Sequence, residues 1–270
     1  MLPAALVAAL LTAGPGIPDS GWRTLEPGLE VGLFDGPPGA QGDGKIAVVR
    51  IDPGIFELRL LNSSAPGQGV PVSARAWADR AGASAVINAS MYQEDYRTAV
   101  SLMRTRDHVN QRRISRDRAA LVFDPLDGKL PPVRMVDRDC DDLGTATRSY
   151  GTVIQSIRMV SCERRNVWAP SQRRSSVAAV GLDSHGRVLF LHARSAWPVH
   201  ELVNALLELP IDLRQAMYVE GGPEAQLFAR GGGAELERLG AFEAAQAAAK
   251  NGWPLPNVIA AVRRMRSPVR

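Results

Sequence analysis

Between Ala216 and Gln226 the chain reads A-M-Y-V-E-G-G-P-E-A-Q, with two carboxylates, Glu220 and Glu224, on either side of Gly221, Gly222 and Pro223. A strand that ends in an acid and then a glycine turn delivers the acid to the rim of a sheet. There the missing Cβ atoms let a ligand approach the backbone closely. Ligand sites in α/β proteins favour such rims.

Two other segments carry complementary chemistry. Ala85–Tyr92 (A-V-I-N-A-S-M-Y) is an apolar strand ending in Asn88, and Arg173–Asp183 (R-R-S-S-V-A-A-V-G-L-D) places two arginines ahead of another apolar strand. A guanidinium supplies charge and a forked donor for phosphate oxygens. A carboxylate supplies a nucleophile or a base for water, and an Asn fixes a hydroxyl. Trp168, Tyr92 and Tyr96 are available to pack against the face of a ligand ring. Glu94-Asp95, just past the Asn88 strand, offers a second acidic position.

Other templates are empty. His108, His185, His192 and His200 lack ligand spacing; His185 reads as a turn residue and His192 as the end of a strand. Two well-separated cysteines exclude a C-x-x-C zinc site. The chain has no G-x-S-x-G elbow, P-loop or G-x-G-x-x-G, and Gly231–Gly233 reads as a loop. No metal or cofactor is expected.

In order and spacing, the three segments resemble the phosphodiester glycosidase family. There a strand ends in Asn-Gly-Gly-aromatic, an Arg opens an A-x-G-x-D strand, and Leu-Asp-Gly-Gly-(Gly/Pro)-Ser-Ser follows. Asn88 matches the Asn, Arg173 or Arg174 the Arg, Gly181 and Asp183 the strand, and Glu220-Gly221-Gly222-Pro223 the acidic turn. The resemblance spans Lys45–Val262. It implies Glu220 and Glu224 as catalytic, with Asn88, Arg173, Arg174, Gly221, Gly222 and Tyr92 holding substrate. The reaction implied is hydrolysis of a sugar-1-phosphodiester in a cell-surface polymer or glycoconjugate. The chain also departs from the pattern: Ala89-Ser90-Met91 replaces Gly-Gly-aromatic, Glu220 replaces Asp, and Glu224 replaces the first Ser. These departures keep two other classes in view. One is a non-catalytic exported module that binds phosphorylated or anionic glycan; the other is a structural secreted module. Asn88, the two arginines and Glu220 are expected to converge on one concave surface.

The chain has 270 residues, 45% of them hydrophobic and 22% charged, which is ample for a core and excludes disorder. The net charge of +4 is spread out; its densest part, Arg104–Arg118, interleaves Arg and His with Asp107 and Asp117 and carries no aromatic run. That argues against nucleic acid and fits an anionic carbohydrate or sugar-phosphate partner. Leu2–Ala13 is apolar and uncharged, too short to span a bilayer, so residues 1–18 read as a signal peptide with no stable membrane span. In an exported, oxidising setting Cys140 and Cys162 are expected to pair.

Around these residues the pattern gives a flexible segment over 19–44 and one domain over 45–265. The fold expected is α/β of an α+β-like kind, a mixed β-sheet with hairpins and packed helices. Lys45–Asp52 and Ile55–Leu61 read as a hairpin about Pro53-Gly54, and Val177–Leu182 with Arg187–His192 as a second. Ser84–Asn88, Ala119–Phe123 and Asn257–Val262 read as strands. Ser73 is expected to cap a helix through Ala81 that buries Trp77. Pro198 opens another in which Val199, Leu202, Val203, Leu206 and Leu207 share a face, and Pro210 stops it. Phe242–Lys250 is Ala-rich and reads as a helix.

Overall fold

Segments rich in Val, Ile, Leu and Ala dominate the computed structural model, which describes residues 21–38, 42–241 and 252–265. Strand accounts for 49% and helix for 12%, so the fold is mostly β rather than a balanced α/β. The strands are β1 (Gly21–Glu26), β2 (Leu29–Asp35), β3 (Lys45–Ile51), β4 (Phe56–Asn62), β5 (Ala85–Asn88), β6 (Met103–Arg104), β7 (Val109–Gln111) and β8 (Ala119–Pro125). They continue as β9 (Val133–Asp137), β10 (Tyr150–Val160), β11 (Arg174–Asp183), β12 (Val188–Pro198), β13 (Leu213–Gly221), β14 (Gln226–Gly231), β15 (Ala234–Leu239) and β16 (Asn257–Arg263). The helices are α1 (Ala74–Ala81), α2 (Leu143–Ser149) and α3 (Val199–Glu208). The signal segment 1–18 and the Phe242–Lys250 helix lie outside the described residues.

Two sheets form. The larger has eleven strands along β1-β2-β3-β12-β11-β13-β10-β6-β7, with β8 and β9 branching from β10; the smaller runs β15-β14-β5-β16-β4. Every pairing among the described strands is antiparallel, so the sheet is not mixed. The main core lies between the sheets, where Val49, Val180, Phe190 and Met217 of one meet Phe56, Ile87, Leu227 and Ile259 of the other. Helix α3 covers the outer face of the larger sheet with Leu202, Val203 and Leu206. Helix α1 covers the outer face of the smaller one with Trp77 and Ala78. The layering is therefore helix, sheet, sheet, helix.

Both well-patterned helices form as the sequence predicts. Ser73 Oγ accepts from Ala76 N, Gly82 closes α1 at φ 61°, and the buried Trp77 donates its indole N–H to Leu255 O at 2.8 Å. The β11–β12 hairpin forms too: buried Asp183 holds its turn by accepting from His185 N, Arg187 N and Arg187 Nε.

Three expectations are overturned. The segment 19–44 is not simply flexible, since β1 and β2 form a hairpin on the edge of the larger sheet, with Leu29 and Val31 fully buried. Gly and Pro beyond Asp35 mask this short alternation. The β3–β4 turn is not a hairpin: β3 joins β2 and β12, whereas β4 joins β16 in the other sheet. Asp52 shapes this arch, its Oδ1 accepting from Gly54 N at 2.8 Å and its carbonyl from Phe56 N at 2.9 Å. The chain crosses between sheets twice more, from β5 to β6 and from β13 to β14. Finally, β12 runs on to Pro198, so His192 is mid-strand rather than at an end.

Cys140 and Cys162 are joined as expected, with Cα atoms 6.6 Å apart. The bridge ties the turn before α2 to the end of β10. Beside it buried Asp137 accepts from Asp139 N and Cys162 N and pairs with Arg158. Replacing both cysteines by Ser is expected to lower the unfolding free energy by about 3 kcal/mol in urea titrations, the usual effect of closing a loop of this size. An unchanged midpoint would show that this ion-pair cluster holds the junction by itself.

Candidate active site

Two of the three inter-sheet crossings, residues 89–102 and 222–225, lie on one cleft of about 690 Å³. The arch from β13 to β14 is the acidic turn. Along β13, Met217 and Val219 point into the core between the sheets, so Tyr218 and Glu220 face outward. The β11–β13 register shifts between Ala178 and Ala179, opposite this stretch. Such a bulge re-aims side chains at a strand end.

The glycines answer to close approach. A Cβ on Gly221 would lie 2.0 Å from Tyr218 Oη and 3.2 Å from Ser176 O, so no larger residue fits. Gly222 has φ 67°, and Pro223-Glu224 then make a single 3₁₀ turn closed by Ala225 N donating to Gly222 O.

Burial pushes the Glu220 carboxyl up to about 7; Gly221 N, donating to Oε1 at 3.0 Å, works against the shift and neighbouring Glu224 adds to it. Glu224 is also raised by burial. Burial, and then the nearby Glu220 carboxylate, raises both Tyr92 and Tyr218, whose phenols stay protonated. A buried acid that holds its proton to neutral pH beside a second carboxylate is an arrangement suited to proton transfer.

The opposite lip comes from residues 168–175. Arg173 and Arg174 line the cleft, and neither has a carboxylate partner among the described residues. Trp168 packs at a tilt against Tyr218 with ring centres 5.3 Å apart, and Tyr92 likewise against Tyr96 at 5.7 Å, giving aromatic surfaces on two sides. His200 Nδ1 contacts Trp168 O at 2.5 Å, and Asn166 bonds His200 O and Asn204 Oδ1, fastening this segment to α3.

Of the residues named from sequence, Glu220, Glu224, Arg173, Arg174, Gly221, Gly222, Tyr92, Tyr96, Trp168 and Glu94 meet in the cleft. Asp95 does not; its carboxylate accepts from Arg97 N, Thr98 N and Thr98 Oγ1 within its own loop. Asn88 sits beneath the acidic turn rather than in the cleft. It is buried, its Nδ2 donates to Glu224 O at 2.9 Å, and its Oδ1 accepts from Gln226 N at 2.7 Å. From the other sheet, His192 Nε2 reaches Ala225 O at 3.1 Å; burial pulls this histidine down to about 3, so it is neutral. Asn88→Ala would strand a buried N–H and a buried C=O in the turn. A loss of about 1–3 kcal/mol is expected by denaturant unfolding; a change within about 0.5 kcal/mol would show that the turn stands without the clamp.

Tyr218 was not singled out from sequence, although it lies two residues before Glu220 and hence on the same strand face. The triad Asp137, Cys140 and Cys162 clusters elsewhere, but its two sulfurs are joined to each other.

The family model described as phosphodiester glycosidase matches residues 81–262. The fold resembles the catalytic domain of zebrafish N-acetylglucosamine-1-phosphodiester alpha-N-acetylglucosaminidase, auto-inhibited by its pro-peptide, with a TM-score of 0.65 and 12% identity over 91% of this chain and 87% of that one. A hypothetical protein from Synechocystis gives a TM-score of 0.62 at 12% identity, over 92% of this chain and 64% of that one. No curated protein matches by sequence.

Proposed function

The chain belongs to the phosphodiester glycosidase family, and from that premise we propose that it hydrolyses a sugar-1-phosphodiester of a cell-surface polymer or glycoconjugate. The observation that carries this reading is the meeting of Glu220 and Glu224 with two unpaired guanidinium groups in one cleft. Arg173 and Arg174 bind the phosphate oxygens by charge-assisted hydrogen bonds. The aromatic pairs take the ring faces.

Burial divides the acids. Glu220 keeps its proton near neutrality, so it does not repel the anionic substrate and can give that proton to the bridging oxygen as the C1–O bond breaks. Glu224 has the more open position and takes the proton of the water that attacks C1. The products are a free sugar and a phosphate monoester, which leaves with the proton from Glu220 and whose anionic oxygens stay on the two arginines. Asn88 and His192 act through the backbone of the turn, as positioning residues. The Cys140–Cys162 bridge fits an exported protein, and no helix among the described residues is long and apolar enough to cross a membrane.

Incubation with an N-acetylglucosamine-1-phosphodiester, the substrate class in the zebrafish enzyme's name, tests the reading. Release of free sugar with phosphate monoester is expected, and much slower release from a matched uncharged glycoside. Saturable binding without product after prolonged incubation would assign the cleft to a glycan-binding module instead.

A further inference from the structure

Seven large apolar side chains are exposed among the described residues; two of them, Tyr96 and Val100, line this one cleft, and two more, Ile114 and Val167, lie on segments next to its lining residues. Val167 precedes the lining residue Trp168. Ile114 is brought alongside Val100 by their neighbours: Ser101 Oγ meets Ser115 Oγ at 2.9 Å, and Gln111 Nε2 donates to Ala99 O at 3.3 Å. Ile114 is 55% exposed and Tyr96 58%. Tyr96 is also held at a left-handed φ of 53° by a loop that Asp95 caps from within. An ordered loop that spends strain to present an aromatic ring outward is not a packing accident.

Charge accompanies the apolar residues. Arg112, Arg113 and Arg116 flank Ile114, are exposed, and have no carboxylate partner among the described residues. In the same stretch Arg106 pairs with Asp124, Arg118 with Asp139, and Arg104 donates to the carbonyls of Thr147, Tyr150 and Gly151, which leaves Arg112, Arg113 and Arg116 at the apolar tip. Glu94 and Asp95 are the acids on the facing wall, and Asp95 is engaged by Thr98.

We propose that the mouth of the cleft docks on an anionic lipid bilayer. Ile114, Val100, Tyr96 and Val167 enter the headgroup region, and Arg112, Arg113 and Arg116 bind lipid phosphates. Apolar side chains interleaved with cations are the composition of an interfacial surface. A soluble polyanion would engage the arginines and leave the apolar tip in water, which is why the bilayer is the better fit. The surface shares Tyr96 and Val100 with the cleft but includes neither Glu220 nor Glu224, and it does not depend on the hydrolase reading.

Co-sedimentation of the protein with vesicles of phosphatidylglycerol and phosphatidylcholine, against phosphatidylcholine alone, tests it. Binding to the anionic vesicles is expected. The variant Arg112→Gln/Arg113→Gln/Arg116→Gln should bind about 100-fold more weakly, since each cation at a lipid surface contributes about fivefold. Ile114→Ser should weaken binding about tenfold at unchanged charge. Unfolding midpoints equal to wild type confirm that both variants are folded, and release of sugar from a soluble substrate, if the cleft is catalytic, stays at the wild-type rate. Absence of binding to anionic vesicles, equal binding to neutral ones, or an Ile114→Ser variant that binds like wild type overturns the proposal. The last result, with retention on a soluble polyphosphate, would assign the surface to a polyanion.

Discussion

Glu220→Gln lowers turnover of a sugar-1-phosphodiester by at least about 10²-fold while leaving its affinity within a few-fold, because the amide keeps the shape of the side chain but has no proton to give. The loss shrinks when the leaving group is an activated aryl phosphate that departs without protonation. In the wild type, activity declines as pH rises through about 7, where Glu220 ionises. A profile that instead climbs through this range would make Glu220 the base and Glu224 the acid. Stability carries the same signature. Below the ordinary carboxylate range Glu220 is protonated both folded and unfolded, and nothing is lost. As pH rises towards 7 the unfolded chain releases a proton that the folded one keeps, so wild-type stability falls by on the order of 3 kcal/mol and then levels off. Glu220→Gln removes that slope, and above neutrality it unfolds at higher denaturant than wild type. An unaltered slope in the variant would mean that the proton resides elsewhere.

Removing both guanidinium groups gives the second large effect. Arg173→Ala/Arg174→Ala is expected to raise KM for the phosphodiester by about 100-fold or more, as two hydrogen bonds to a charged group are lost at about 1.5–3 kcal/mol each. Hydrolysis of an uncharged glycoside should not change, so the preference for the charged substrate disappears. Both arginines are exposed and have no carboxylate partner among the described residues, and stability should stay within about 0.5 kcal/mol. An unchanged KM would place the phosphate away from this lip.

Features set by neighbours in sequence were legible in advance. Ser73, Trp77 and Gly82 define α1 locally, the spacing from Val199 to Leu206 defines the buried face of α3, and Asp183–Gly186 defines the β11–β12 turn. The acidic turn was legible for the same reason, since Gly221 announces the close approach that it makes and Gly222 the left-handed turn. Choice of partner was not. Alternation in Ile46–Ile51 and Phe56–Leu61 marks two strands, yet nothing in it says that they belong to different sheets. Strand β10 was missed because Gln155, Ser156 and Arg158 interrupt its apolar pattern; Gln155 is buried, bonded to Ser115 and Asp117 on the neighbouring loop. Asn88 was misplaced for a related reason. An Asn at a strand end looks the same whether its amide faces a ligand or the backbone of a turn 136 residues away.

The crossings between sheets also bear on how the molecule comes to be active. Lips of the cleft come from residues 91–100, 157–175 and 199–224, and β3 finds β12 only after most of the sequence has been made. Contacts so distant along the chain are slow to form. No partial fold places Tyr92, Arg173 and Glu220 together. Catalytic power recovered after dilution from denaturant should therefore lag the return of strand signal and track only the slowest kinetic phase, so an incompletely made chain is expected to be silent towards substrate.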